Sequence, residues 1–217
     1  MSDTREVEIY FDDLTAEKQK ELLTAYSIKS PLEMNWDVLP IFTEVCYPQK
    51  TEEPVIRVFM DLDGVLAAWD PDADEDTLYN EGFFLERPLI QGYKNILLGL
   101  RSEGFSVWLL SAYLADSEYA LWEKETWCRR NLPEIHPSKC LFTPTFSSKA
   151  DMPPGGIRPT DVLIDDHSPN LRAWGGIGIK AKNPYNCKRG TWTGLRISET
   201  DDPKEVARLI REAVASV

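Results

Sequence analysis

The chain has 217 residues, 42% hydrophobic and 28% charged, with a formal net charge of -12. That length fits one sizeable core with additions, and the acidic balance argues against a polynucleotide partner, because no Lys/Arg stripe is present to displace counterions from a phosphate backbone. The apolar runs fall short of the roughly 18 residues that a membrane span needs, and Cys46, Cys128, Cys140 and Cys187 form no CxxC pair and no metal-ligand spacing, which predicts reduced structural thiols.

The opening "MSDTREVEIYFDD" has no basic region followed by an apolar one, so the expected location is the cytoplasm. Within it, "EVEIYF" alternates Val7, Ile9 and Phe11 with Glu8 and Tyr10, the period of a strand. "TAEKQKELLTAY" then predicts a helix with Thr15 as N-cap and Leu22, Leu23 and Tyr26 as its apolar stripe. Residues 27–54 hold little periodicity and read as a connector. Residues 1–50 are therefore expected to be an N-terminal extension packed on a main domain, 51–217. Its first strand is open either to extending the edge of a sheet or to pairing with a second subunit.

From Val55 the pattern alternates. A strand over 55–60 is followed by an irregular acidic insert at about 67–87, and then by "PLIQGYKNILLGLRSEG". There Pro88 is expected to open a helix, Ile90, Tyr93, Ile96, Leu97 and Leu100 share a face, and Gly104 closes it. Strand "FSVWLLS", helix "DSEYALWEKETWCRRNLP" with a Glu125–Arg129 pair, and strand "KCLFT" continue the series. Next come strand "DVLID", a short helix over "HSPNLRAW" with Ser168 as cap and Pro169 at its first position, and strand "IGIKA". The last helix starts at Asp202 and carries Val206, Leu209, Ile210, Ala213 and Val214 on its apolar face. Strands alternating with helices predict an α/β, Rossmann-like fold, a parallel sheet covered on both faces.

In such a sheet, ligands gather beyond the carboxyl ends of the strands. "VFMDLDG" runs apolar and then delivers Asp61 and Asp63, "VWLLSAY" delivers Ser111, and "VLIDDHS" delivers Asp165 and Asp166. One aspartate in that position is an ordinary turn or cap residue. Four of them on two strands are costly to bury unless paired or bound to metal. Convergent carboxylates with room for water suit Mg²⁺. A carboxylate beside such a cation can attack phosphorus, and a second, two residues on, can move protons.

These residues, "DLDGVL", Ser111 in "LLSAY", Lys149 in "FSSKADM" and "DVLIDD", resemble the four ordered motifs of the haloacid dehalogenase (HAD) superfamily of phosphohydrolases. "FFLERPLIQGYKNILLGLRSEGFSVWLLSA" with "LIDDHSPN" is most similar to the 5'(3')-deoxyribonucleotidase family. The resemblance implies that Asp61 forms an aspartyl-phosphate and that Asp63 is the acid–base residue. It also implies that Ser111 and Lys149 hold phosphoryl oxygens, and that Mg²⁺ is bound by Asp61, Asp165 and the backbone carbonyl of Asp63, with Asp166 in the outer shell. Lys149 is followed by "ADMPPGGIRPT", which predicts no more than a turn, so Lys139 and Lys180 stay open as alternatives.

Trp69, Tyr79, Phe83 and Phe84 are open to stacking on a base or to pinning the insert to the core, with Phe84 favoured as a substrate contact by its resemblance to the family's cap. Asp70, Asp72, Asp74 and Glu81 have the spacing of a Ca²⁺ loop without its glycine, and read as a solvated acidic loop. His167 reads as a helix-entry residue. Lys188 and Arg189 read as surface charges with a possible role toward an anion.

The expected activity is Mg²⁺-dependent hydrolysis of a small-molecule phosphomonoester, a nucleoside monophosphate first. The alternatives are another small phosphoester, a polynucleotide 3' end, or a non-catalytic nucleotide-binding role.

Overall fold

The computed structural model describes residues 5–36, 39–46, 55–186 and 192–217. The chain forms two compact units, Met1–Glu53 and Pro54–Val217.

In the first unit, strand β1 (Arg5–Ile9) pairs antiparallel with β2 (Phe42–Cys46), Ile9 opposite Phe42. The connector expected over 27–54 thus contains a strand, together with a 3-10 turn at Pro31–Met34. β1 and β2 form a two-stranded sheet of their own, so within this unit one edge of β1 is covered by β2. Helix α1 (Ala16–Ala25) starts at Thr15, whose hydroxyl accepts from the Lys18 N–H. Its expected stripe is only half-buried at Leu22 and Leu23, and Tyr26 is exposed. Tyr26 meets Trp36 edge-on, and Trp36 in turn stacks on the buried Phe11.

The second unit holds a six-stranded, wholly parallel sheet in the order β5-β4-β3-β6-β7-β8. Its strands are β3 (Arg57–Met60), β4 (Ser106–Tyr113), β5 (Cys140–Pro144), β6 (Val162–Asp165), β7 (Ile177–Lys182) and β8 (Leu195–Ser198). Its helices are α2 (Gln91–Ser102), α3 (Ala120–Asn131), α4 (Ser168–Ala173) and α5 (Pro203–Ala215).

Successive side chains on the central strands go to opposite faces. Val58, Met60, Val107, Leu109, Val162 and Ile164 pack with Tyr93 and Ile96 of α2, Trp127 of α3, and Val206 and Ile210 of α5. Phe59, Leu110 and Leu163 pack the other way, on Leu171 of α4 and on Trp174 directly after it. Both faces are buried, which is why these strands read as unbroken apolar runs. Each such aliphatic side chain taken from water stabilises the fold by about 1.5–3 kcal/mol.

Three helix starts differ from expectation. Ile90, not Pro88, caps α2, because Ala68 and Ile90 N–H groups bond to Pro88 and Leu66 carbonyls and hold residues 88–90 extended. His167 takes the cap position of α4, and the Ser168 hydroxyl is used instead by Lys180. Tyr119 stands at the cap of α3 without a side-chain bond, while Ser117 accepts from the N–H groups of Tyr119 and Ala120. Asp202 caps α5 as expected, through the N–H groups of Lys204 and Glu205. Strand β8, not foreseen, adds a sixth strand at the edge. Among the described residues no helix is long and apolar enough to cross a membrane.

Candidate active site

The strand order reverses between β3 and β6, which run side by side in the middle of the sheet. Their carboxyl ends therefore deliver Asp61 and Asp165 to one crevice, and the Asp61 N–H donates to the Ile164 carbonyl at 3.0 Å. The chain turns directly behind Asp63 at Gly64, whose φ of +74° suits glycine. There is a second reason for glycine: a Cβ there would lie 2.4 Å from Asp166 Oδ2.

Asp61, Asp165 and Lys149 are all buried, and Lys149 touches both aspartates. The Lys149 ammonium lies 2.9 Å from Asp61 Oδ1 and 2.7 Å from Asp165 Oδ2. Asp61 Oδ1 also accepts from the Leu62 N–H at 2.8 Å. Asp165 accepts from the His167 N–H at 2.7 Å and from Asn170 Nδ2 at 2.9 Å. Asp166 accepts from Asn183 Nδ2 at 2.7 Å, and the same amide donates to the Gly64 carbonyl, so one asparagine ties the turn after β3 to the end of β6. Lys149 occupies a single 3-10 turn, Lys149–Asp151, capped by Ser148, in keeping with the proline-rich segment behind it.

Charge is out of balance here. Burial pushes the Asp61 carboxyl up to about 7, with Lys149 pulling it down and the repulsion of Asp165, Asp63 and Asp166 adding to the rise. Burial, followed by Asp165, pushes Asp166 up to about 6. The Lys149 ammonium is held above the usual lysine range because the attraction of Asp61 and Asp165 outweighs its own burial. Carboxylate oxygens of Asp61, Asp165 and Asp166 all lie within 4.8 Å of one another. Four aspartates against the ammonium groups of Lys149 and Lys124 leave a surplus of two negative charges, the charge of one divalent cation, and an all-oxygen donor set fits a hard one. Asp166, expected in an outer position, lies within this group.

On the other wall, Asp63 pairs with Lys124 and accepts from Ser111 Oγ at 3.4 Å. Lys124 also donates to Ser111 Oγ at 3.2 Å and to the Ala112 carbonyl. Ser111 is fully buried at the end of β4. Lys124 went unnoticed in the sequence because charged residues inside a helix read as its solvated side. A signal was present: Ala120, Trp127 and Cys128 are buried on α3, and positions 123 and 124 fall on that same face.

The structure brings together Asp61, Asp63, Ser111, Lys149, Asp165 and Asp166. Lys139 is directed elsewhere, to Ser106 Oγ and the Trp108 ring. Lys180 donates to Ser168 Oγ in a neighbouring cavity, and burial lowers its pKa. Trp69 borders the crevice itself, beside Asp61, Asp63, Lys149, His167 and Asn170. Phe84 is buried, edge-on to Phe83, its ring centroid 4.5 Å from the Lys124 ammonium. The Tyr79 hydroxyl bonds to Asp116. In the acidic loop, Asp70 accepts from the Asp72 N–H and pairs with Arg87, and Asp74 caps the turn at Thr77. Lys188 and Arg189 lie outside the described residues.

A Rossmann-like parallel sheet with aspartates at its switch point and a lysine bridging them is the arrangement of a HAD-like phosphohydrolase. Comparison with protein families then gives a match over residues 69–210 to "5' nucleotidase, deoxy (Pyrimidine), cytosolic type C protein". That match spans more than half of the chain, which belongs to this family and is a phosphoric monoester hydrolase. Among curated protein sequences nothing matches. Among solved structures, the chain is similar to a candidate HAD-like phosphatase from Mesorhizobium loti, at 12% identity and TM-score 0.44 over 75% of this chain and 87% of that one. It is also similar to a protein from Listeria monocytogenes serotype 4b, at 16% identity and TM-score 0.44 over 73% and 99%.

Proposed function

We propose that the protein hydrolyses (deoxy)nucleoside monophosphates with Mg²⁺, through an aspartyl-phosphate on Asp61. The observation that carries this reading is the buried Asp61 carboxylate, one oxygen fixed by Lys149 and the Leu62 N–H, at the centre of a carboxylate group with surplus negative charge. The words deoxy, pyrimidine and cytosolic in the family's description support a nucleotide substrate and a cytosolic location.

Asp61 Oδ2, the oxygen with neither of those donors, attacks phosphorus while the bond to the ester oxygen breaks. Asp63, a carboxylate in the resting site, takes up a proton as the substrate monoanion binds, gives it to the departing alkoxide, and in the second step takes one from the water that attacks the acyl phosphate. Release of inorganic phosphate then returns Asp61 as a carboxylate. Lys149 and Lys124 neutralise charge on the two aspartates, and Ser111 holds a phosphoryl oxygen. A divalent cation bound by Asp61, Asp165 and Asp166 would supply further neutralisation of the phosphoryl oxygens.

The test is phosphate release from nucleoside and deoxynucleoside monophosphates and from small sugar phosphates, with Mg²⁺ and with chelator, for the native protein and Asp61→Asn. Release that needs Mg²⁺, favours deoxynucleotides and disappears in Asp61→Asn is the expected result. Release confined to sugar phosphates would overturn the substrate, and equal rates for native protein and variant would overturn the mechanism.

A further inference from the structure

We propose that Glu123, on α3 and outside the crevice, is a positioning residue that fixes the Lys124–Asp63 pair for proton transfer to the leaving group. The inference rests on the acid–base role of Asp63 given above.

Glu123 is 0% exposed and has no cation partner among the described residues. A buried carboxylate without a partner is strongly disfavoured. Here it is satisfied by backbone alone: the N–H groups of Gly82, Phe84 and Leu85 all converge on it, Phe84 at 2.9 Å and Leu85 at 3.3 Å. The turn is a nest wrapped around a carboxylate that the helix supplies. Gly82, at φ +88°, has the left-handed conformation that such a nest uses.

The same turn sets the Phe84 ring against the Lys124 ammonium, centroid distance 4.5 Å. Lys124 is the residue next to Glu123 and is buried. A lysine has four rotatable carbons, and on a mobile stem its ammonium would sample many positions. Between the Phe84 face, the Ala112 carbonyl and Ser111 Oγ, one position is left, and it is against Asp63. The sequence of contacts is continuous: Glu123 holds the turn, the turn holds Phe84, Phe84 confines Lys124, and Lys124 orients the carboxyl group that must face the ester oxygen. Geometry at such a group is worth much of the roughly 10²–10⁴-fold that general acid–base catalysis supplies.

The leaving group separates this role from a structural one. A deoxynucleoside monophosphate departs as an alkoxide that needs a proton, whereas p-nitrophenyl phosphate departs as a phenolate that does not. For Glu123→Gln, which keeps the shape but sets an NH₂ against N–H donors, kcat/KM, which reports the phosphoryl-transfer step and not the hydrolysis of the shared intermediate, should fall by about 10–100-fold on the nucleotide and by less than about 3-fold on the aryl ester. Glu123→Asp should recover part of the loss. Phe84→Leu leaves the nest intact and removes only the ring above Lys124, so it should show the same split even if Glu123→Gln does not fold. Equal losses on both esters, or no loss on either, would overturn the inference. Asp63→Asn is the control on the underlying reading: it should show the split most strongly, and equal losses there would overturn the proton-transfer role of Asp63 whatever Glu123 does.

Discussion

Two buried aspartates, Asp61 and Asp161, stand at opposite ends of the paired strands β3 and β6, and they are treated differently. Asp161 is matched: Arg57 donates to both its oxygens, the Arg158 N–H adds a third bond, and the same guanidinium ties down the Pro154 and Gly156 carbonyls. Asp61 is unmatched: it shares one ammonium with Asp165 and faces Asp63 and Asp166 as well. A balanced buried pair is a structural device, whereas a carboxylate held at a surplus of like charge is fully matched only when a cation arrives.

Substitution at the two ends should separate the roles. Asp61→Asn removes the nucleophile and should lower kcat by about 10⁴-fold or more while the thermal midpoint holds or rises, since a repelled charge is lost. Arg57→Ala should do the reverse. It strands Asp161 and should cost about 3–5 kcal/mol of stability in denaturant unfolding, with activity per folded molecule unchanged. A Gly64→Ala variant stands between them: its Cβ meets Asp166 Oδ2 at 2.4 Å and the backbone has φ +74°. It should lose about 1–2 kcal/mol from the left-handed backbone and also bind Mg²⁺ more weakly in calorimetry.

The pH dependence follows from the unmatched end. In the metal-free protein Asp61 is raised from 3.8 to about 7, so the folded site holds its proton more tightly than the unfolded chain does. Its contribution to stability therefore falls as pH rises from 3.8 to about 7. A cation must displace that proton, so Mg²⁺ affinity should climb as pH passes from 5.5 to about 7, by up to about tenfold per unit for each proton displaced, and then level off. An affinity that does not change over this window would contradict the charge surplus. The smallest effect belongs to the exposed Glu125–Arg129 pair, 4.0 Å apart, where Arg129→Ala should change stability by about 0.5 kcal/mol or less.

Much of the catalytic unit was legible because its strands are buried on both faces and end in polar residues, so "VFMDLDG" and "VLIDD" mark core and crevice at once. What escaped has physical reasons. Strand β8 buries only Ile197 of its four residues and lies at an edge, so "LRIS" carries no alternation to read. Strand β2 sits in a stretch whose pattern is not periodic. Glu123 and Lys124 are charged residues on the inward face of a helix, and reading charge as exposure hides them. Trp69 and Phe84 were both named in advance, yet sequence could not tell that Trp69 borders the crevice while Phe84 lies beneath Lys124.

The most direct measurement of the central claim is to quench the native enzyme with acid during turnover of a deoxynucleoside monophosphate and map the phosphorylated peptide by mass spectrometry. An acid-stable, hydroxylamine-labile phosphate on the peptide carrying Asp61, absent from Asp61→Asn, is the predicted result. Full turnover with no phosphate on that peptide at any time point, or phosphate on another residue, would contradict it.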